Sequence, residues 1–213
     1  MKRFVVGLVV VLALPSVAFA EWGDPSASGC YRSWSVLTGR TVGGGQSVLD
    51  IEAGYPGISV SYLHGLSSRV DIGGAFTFNY GLEGTTIIFP GIKPQFLLKF
   101  GLLDTGKVNL ALTFSPALLM YFGNGVVFGM AIPVGLNLGF PLMDSLNVAA
   151  SFDLPVWISF SDGVAVPILF GGGLEYFLDR SMALTFKLKL GPTVGFVGPS
   201  FTVIAQMGLA IKL

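Results

Sequence analysis

The chain offers one histidine, one cysteine, twelve acidic and twelve basic residues as its stock of reactive groups. His64 is followed by Ser67 and Ser68, and an imidazole beside a hydroxyl is the material of acyl transfer. That chemistry needs a nucleophile, a base and an orienting group in mutual reach. No acid is spaced to orient His64, and residue parity puts its ring on the outer, interfacial side of its strand, so no catalytic residue is expected. Cys30 is single, which excludes an internal disulfide. Ala27-Ser28-Gly29-Cys30 looks like a lipoprotein cleavage box, but it lies well beyond the apolar leader that such a cysteine should directly follow. No Cys/His cluster suits zinc, and the acids lack the spacing of a calcium loop. Gly43-Gly44-Gly45 and Gly171-Gly172-Gly173 lack the Lys-Ser/Thr of a phosphate loop and read as a linker and a stretch of strand. No metal and no cofactor are expected.

The remaining chemistry is a set of charges gathered on one side of alternating segments. The acids are Asp50, Glu52, Asp71, Asp153 and Glu175, and the bases are Lys93, Lys99, Lys187, Lys189 and Lys212. Equal numbers of each sign are what pairing requires, because an unpaired charge in a low-dielectric interior is costly. Two uses compete: a salt-bridged plug that fills a narrow barrel, or the lining of a small pore or solute pocket. Gly73, Ala75, Ala111, Gly129, Gly135, Gly171 and Gly173 share that side. Such small residues leave room for a cavity and equally relieve crowding in a tightly curved barrel. Pairing of the first and last strands would bring Asp50 and Glu52 near Lys212, with Lys187 and Lys189 one strand further, and Asp71 would face Lys93.

The elements that position these groups follow from period-2 patterning. Between Met182 and Phe196, Leu184, Phe186, Leu188, Leu190 and Val194 fall on one face, and Ala183, Thr185, Lys187, Lys189, Gly191 and Thr193 on the other. Successive strand side chains switch faces, so this strand is oily on one side and polar on the other. Ten such strands are expected, at approximately 47–54, 57–64, 69–80, 86–101, 107–121, 126–140, 145–160, 163–177, 181–196 and 199–213, with eight or twelve as alternatives. Turns alternate between a set of Leu plus small polar residues (65–69, 103–107, 142–145, 178–181) and a Gly-rich set with aromatic edges (55–57, 79–84, 122–125, 160–163, 196–199). Tyr55, Tyr62, Phe78, Tyr80, Phe100, Tyr121, Phe122, Phe140, Phe160, Tyr176, Phe177 and Phe196 recur at strand ends, where rings favour a bilayer interface. The fold class is therefore all-β: a transmembrane, antiparallel, up-and-down β-barrel of about ten strands over residues 46–213.

Composition agrees. The chain is 52% hydrophobic and 11% charged, under half the ~25% charge of an ordinary soluble domain. Mean hydropathy is +0.74, yet past the leader no apolar run reaches the ~18 residues of a membrane helix. Residues 1–20 read as a cleaved signal peptide: Lys2 and Arg3, the apolar run Phe4 to Leu14, then Ala18-Phe19-Ala20 before Glu21. Without Lys2 and Arg3, ten basic residues stand against twelve acidic ones, so no positive surplus suggests nucleic acid. Residues 21–45, with Trp22, Trp34 and weak alternation, read as a periplasmic lead-in or partial plug.

The alternation, the leader and the closing Met207, Leu209, Ile211 and Leu213 together resemble bacterial outer-membrane β-barrel proteins of eight to ten strands. In that class the C-terminal strand is a β-signal ending on an aromatic; here the alternation is kept and the last residue is Leu. The resemblance implies a Gram-negative outer-membrane location, contact with outer-membrane lipid, assembly by the barrel-assembly machinery, and small solutes as partners. The expected function is a non-enzymatic barrel: a narrow porin-like channel, or a solute-binding or structural barrel. Two alternatives stand beside it. One is a lipid-modifying enzyme using His64, similar to the barrel lipid A deacylases, palmitoyl transferases and omptin-like proteases that set a His beside an acid or a nucleophile. The other is a soluble secreted lipid-binding barrel, which would need a polar outer face.

Overall fold

The computed structural model describes residues 33–81, 90–123, 125–161, 163–195 and 200–213. The leader, Trp22, Cys30 and Phe196 lie outside the described residues. Twelve strands follow one another: β1 (Ser47–Tyr55), β2 (Gly57–Gly65), β3 (Val70–Asn79), β4 (Gly91–Asp104), β5 (Asn109–Phe114), β6 (Ala117–Phe122), β7 (Val126–Met143), β8 (Leu146–Ser159), β9 (Gly163–Pro167), β10 (Leu169–Phe177), β11 (Met182–Gly195) and β12 (Ser200–Lys212). They make ten staves. β5 and β6 both pair with β4 and with β7, and β9 and β10 both pair with β8 and with β11. The interruptions fall at Ser115-Pro116 and Ile168, yet the ladder runs through them. Ser115 N–H donates to Pro133 O, Phe96 N–H to Pro116 O and Ile168 N–H to Pro192 O. Among the described residues every pairing between these strands is antiparallel, and β12 returns to β1 with Val48 opposite Lys212 and Glu52 opposite Gly208. The sheet thus closes and leaves no edge, the condition for a sheet to sit in hydrocarbon.

The expected segments coincide with the staves except the fourth, which runs from Gly91 to Asp104 instead of 86–101; residues 82–89 lie outside the described residues. The β3–β4 hairpin closes on the pair Asn79–Gly91, a longer connection than the sequence pattern implied. This shifts the register, so Asp71 stands opposite Lys99 and Thr77 opposite Lys93. The expected Asp71–Lys93 pairing is therefore wrong, and its cause is loop length.

Alternation sorts the faces as the pattern requires. Along β11, Ala183 and Thr185 are buried while Leu184 and Phe186 are exposed. Phe76, Phe96, Leu118, Leu136, Phe170, Leu174, Val203 and Met207 continue the same apolar exterior around the wall. A soluble protein does not expose an apolar band of this extent; a transmembrane barrel must. Two of the expected interfacial aromatics are corrected. Tyr121 and Phe177 point inward and are buried, because each follows the lumen parity of its strand.

Two apolar clusters lie inside. One, at the end that carries both termini of the barrel, joins Trp34, Val42, Val48, Leu63, Phe177, Ala183 and Ala210. The other joins Ala117, Ala131, Trp157 and Ala165. The first includes Trp34 and Val42, which precede β1, so residues 34–42 lie inside the wall.

Candidate functional site in the barrel lumen

Residues 34–42 fill the terminal end of the barrel, then turn back through Gly43-Gly44-Gly45 to start β1. Gly43 and Gly45 have φ of +97° and +73°, where a side chain would be strained. Gly45 N–H donates to Gly65 O at 2.8 Å, and Gly44 bridges Gly65. Trp34 is fully buried, stands edge-on to Phe177 at 5.2 Å between ring centroids, and donates its indole N–H to Arg180 O at 3.0 Å. A methyl added to Gly39 would meet the β5 backbone at 2.4 Å, so the segment lies directly on the wall.

The wall grips this segment with charges, mostly through its main chain. Glu175 accepts from Val36 N–H at 2.9 Å and from Asn147 Nδ2 at 3.0 Å. Asp71 accepts from Val42 N–H through both oxygens, at 3.2 and 3.0 Å. Lys99 donates to Ser35 O at 3.0 Å and also to Arg40 O. Arg40 in turn forks onto Asp104 at 2.9 and 3.1 Å. Asp71, Lys99 and Glu175 are buried. An irregular segment in such a place leaves backbone groups without a ladder partner, and buried backbone groups must be paired. Here the side chains of Glu175, Asp71 and Lys99 do the pairing.

Beyond Val36 and Leu37 the lumen opens into a cavity of about 270 Å³. Asp50, Glu52, Lys93, Asp153, Lys187 and Lys189 line its walls, with Ser59, Ser61, Gln95 and Gln206. Glu52 bonds to Lys187 and also accepts from Ser59 Oγ at 3.2 Å. Lys189 meets Asp153 at 2.7 Å. These pairs reach across intervening strands over glycine. A methyl on Gly208 would stand 2.8 Å from Glu52 Cγ, and one on Gly171 2.6 Å from Lys189 Cγ. Gly135 likewise gives way to Asp153, at 2.4 Å from Oδ1. Several of the small lumen residues thus provide passage for long charged side chains.

The ten expected lumen charges therefore separate into groups. Asp71, Lys99 and Glu175 hold the segment 34–42. Asp50, Glu52, Lys93, Asp153, Lys187 and Lys189 surround the cavity. Lys212 is set apart: it stands opposite Val48 at the terminal rim and makes no ion pair with Asp50 or Glu52, which face Ala210 and Gly208. The expected approach of Lys212 to those acids fails because the closing register places it one lumen position or more beyond them. Sequence reasoning missed Trp34, Ser35, Thr38, Arg40 and Asn147 as parts of the site. The available signal was a tryptophan and small hydroxyl residues in a non-alternating stretch ahead of a triple glycine.

His64 lies at the end of β2, half-buried. Its Nδ1 is 2.9 Å from Ser47 Oγ, which is 2.8 Å from Tyr62 OH. Ser67 Oγ accepts from Arg69 N–H, and the main-chain carbonyl of Ser68 accepts from Thr41 Oγ1. Among the described residues no group of three or more His, Cys, Asp or Glu is placed to hold a metal ion.

No protein-family model and no curated protein matches the chain. Among solved structures the chain is similar to Ail, the attachment invasion locus protein of Yersinia pestis, at 10% sequence identity and a TM-score of 0.25, over 79% of this chain and 94% of that one. At those values the likeness assigns no role to any residue of this chain.

Proposed function

We propose that this protein is a bacterial outer-membrane barrel without enzymatic activity, closed at its terminal end by its own segment 34–42 and holding a charged pocket for a small solute above that closure. One observation carries the reading. The segment that fills the barrel end is fastened by Glu175, Lys99 and Asp71, all buried, so the closure is built in. A porin-like open channel would need that end clear. The apolar exterior supports the membrane location, and the alternating C-terminal strand supports assembly by the barrel machinery with outer-membrane lipid as the surrounding partner.

Planar-bilayer conductance tests this reading. The unaltered, folded barrel is expected to be silent. Trp34→Ala, which removes the apolar anchor of the segment, is expected to produce discrete conductance steps. Regular steps from the unaltered barrel would overturn the closure, and recovery in the inner membrane or soluble fraction would overturn the location.

A second reading has one observation in its favour. The 2.9 Å contact between Ser47 Oγ and His64 Nδ1 on the barrel exterior supplies a hydroxyl and a base at the terminal end of the wall. No carboxylate hydrogen-bonds the imidazole among the described residues, which leaves the pair without an orienter. A His64→Ala strain with an altered lipid A or phospholipid profile would favour this reading; an unchanged profile would remove it.

A further inference from the structure

The pocket holds one acid that differs from the rest. Glu52 has Lys187, Asp153 has Lys189, and Asp71 and Glu175 have backbone N–H donors. Asp50 is only 6% exposed and accepts no hydrogen bond, its Oδ1 being buried without a partner. It lines the cavity, and its neighbours there are the small hydroxyl of Ser61, directly across on β2, and the Glu52–Lys187 pair. Asp50 and Glu52 sit two residues apart on one face of β1, about 7 Å by strand rise. Two carboxylates thus share one ammonium, that of Lys187. A buried, unsatisfied carboxyl group on the wall of a cavity wants a hydrogen-bond donor.

Resting on the closed-pocket reading above, we infer that the lumen pocket binds a compact solute bearing a primary ammonium, with Asp50 as its anchor. The ammonium supplies three donors on a point charge, which suits one carboxylate oxygen flanked by the Ser61 hydroxyl. The cavity volume of about 270 Å³ limits the guest to a small molecule. Of the lining lysines, Lys187 and Lys189 are already bonded to Glu52 and Asp153, and Lys93 stands on β4, opposite Thr77.

The test is calorimetric titration of the membrane-extracted, folded barrel in detergent with 1,4-diaminobutane, alongside uncharged 1,4-butanediol of the same length. Binding of the diamine and none of the diol is expected, with Asp50→Asn weakening the diamine at least ten-fold. Ser61→Val, which fills the space beside Asp50 and leaves the charge in place, is expected to weaken it as well and stands in if Asp50→Asn does not fold. No diamine binding to the unaltered barrel, equal binding of the diol, or full displacement by an equal concentration of potassium chloride would each overturn the assignment. Conductance of the same preparation separates the two proposals. A silent barrel that fails to bind loses only the amine site, whereas a conducting one loses the closed pocket.

Discussion

At the terminal end of the lumen, Asp71, Lys99 and Glu175 bond to the main chain of an inserted segment. One level further in, Glu52, Asp153, Lys187 and Lys189 bond to each other across a cavity. The residue types are the same and the parity is the same, yet the consequences differ. A charge that satisfies a buried amide has no alternative partner, since releasing it leaves two groups unpaired at once. A charge paired with another side chain beside an open cavity can exchange that partner for water or for a solute. The first level therefore makes the closure, and the second makes the pocket.

Lys99→Met breaks the comparison at its strongest point. The ammonium of Lys99 is buried and holds the carbonyls of Ser35 and Arg40 while standing opposite Asp71. Its loss leaves the carbonyls of Ser35 and Arg40 without their donor, and each stranded buried acceptor costs about 1–3 kcal/mol. Urea unfolding of the barrel in phospholipid vesicles should show that loss. A change below about 1 kcal/mol, the size of a surface pair, would erase the distinction between the two levels.

The glycine crossings come next. In Gly208→Ala, the added methyl would meet Ile51 O at 2.5 Å as well as Glu52 Cγ and Thr185 Oγ1 at 2.8 Å. The backbone contact cannot be relieved by a side-chain turn, so overpacking should cost about 1–3 kcal/mol in the same unfolding experiment. Neutral behaviour would mean that the Glu52–Lys187 crossing does not depend on the passage Gly208 provides.

Lys189→Met sharpens the contrast from the other side. Lys189 and Asp153 side chains are 23% and 13% exposed, beside a cavity that water can enter. Discounted for that access, the loss should be about 1 kcal/mol, with no conductance appearing, because the closure does not use this pair. A loss equal to that of Lys99→Met would show that both levels are equally dry.

How much of this was legible in the sequence follows from range. Strand count, faces and closure depend on local alternation, and Met182–Phe196 or Leu146–Ser159 display it residue by residue. The inward direction of Lys187 and Asp153 came from the same parity. The pairing of Asp71 with Lys99 did not, because register depends on the length of the β3–β4 connection, which alternation does not report. A partial plug is one of two readings of residues 21–45, but the partners that hold Trp34 do not come from the pattern. Residues 34–42 lack a period, and what holds them, Phe177, Glu175 and Lys99, lies on distant strands whose relation to the segment exists only after the barrel closes.

The turn between β10 and β11 isolates what burial adds. Asp179 does in water what Asp71 and Glu175 do in the lumen: its Oδ1 accepts from Ser181 N–H at 2.7 Å, Ser181 Oγ at 2.8 Å and Met182 N–H at 2.8 Å. These donors, those of Ser181 first, hold its carboxyl below the ordinary carboxylate range. A carboxyl depressed in the folded state contributes stability above its unfolded pKa, and that contribution is lost as pH falls through the lower folded value. Asp179→Asn should therefore lower stability slightly at neutral pH, and the difference from the unaltered barrel should vanish in strong acid. The pH series of urea midpoints measures this directly. If the Asp179 effect matched that of Lys99→Met, the strength of the terminal level would come from backbone hydrogen bonding as such; if it is much smaller, as expected for a solvated group, the strength comes from pairing those charges where water is absent.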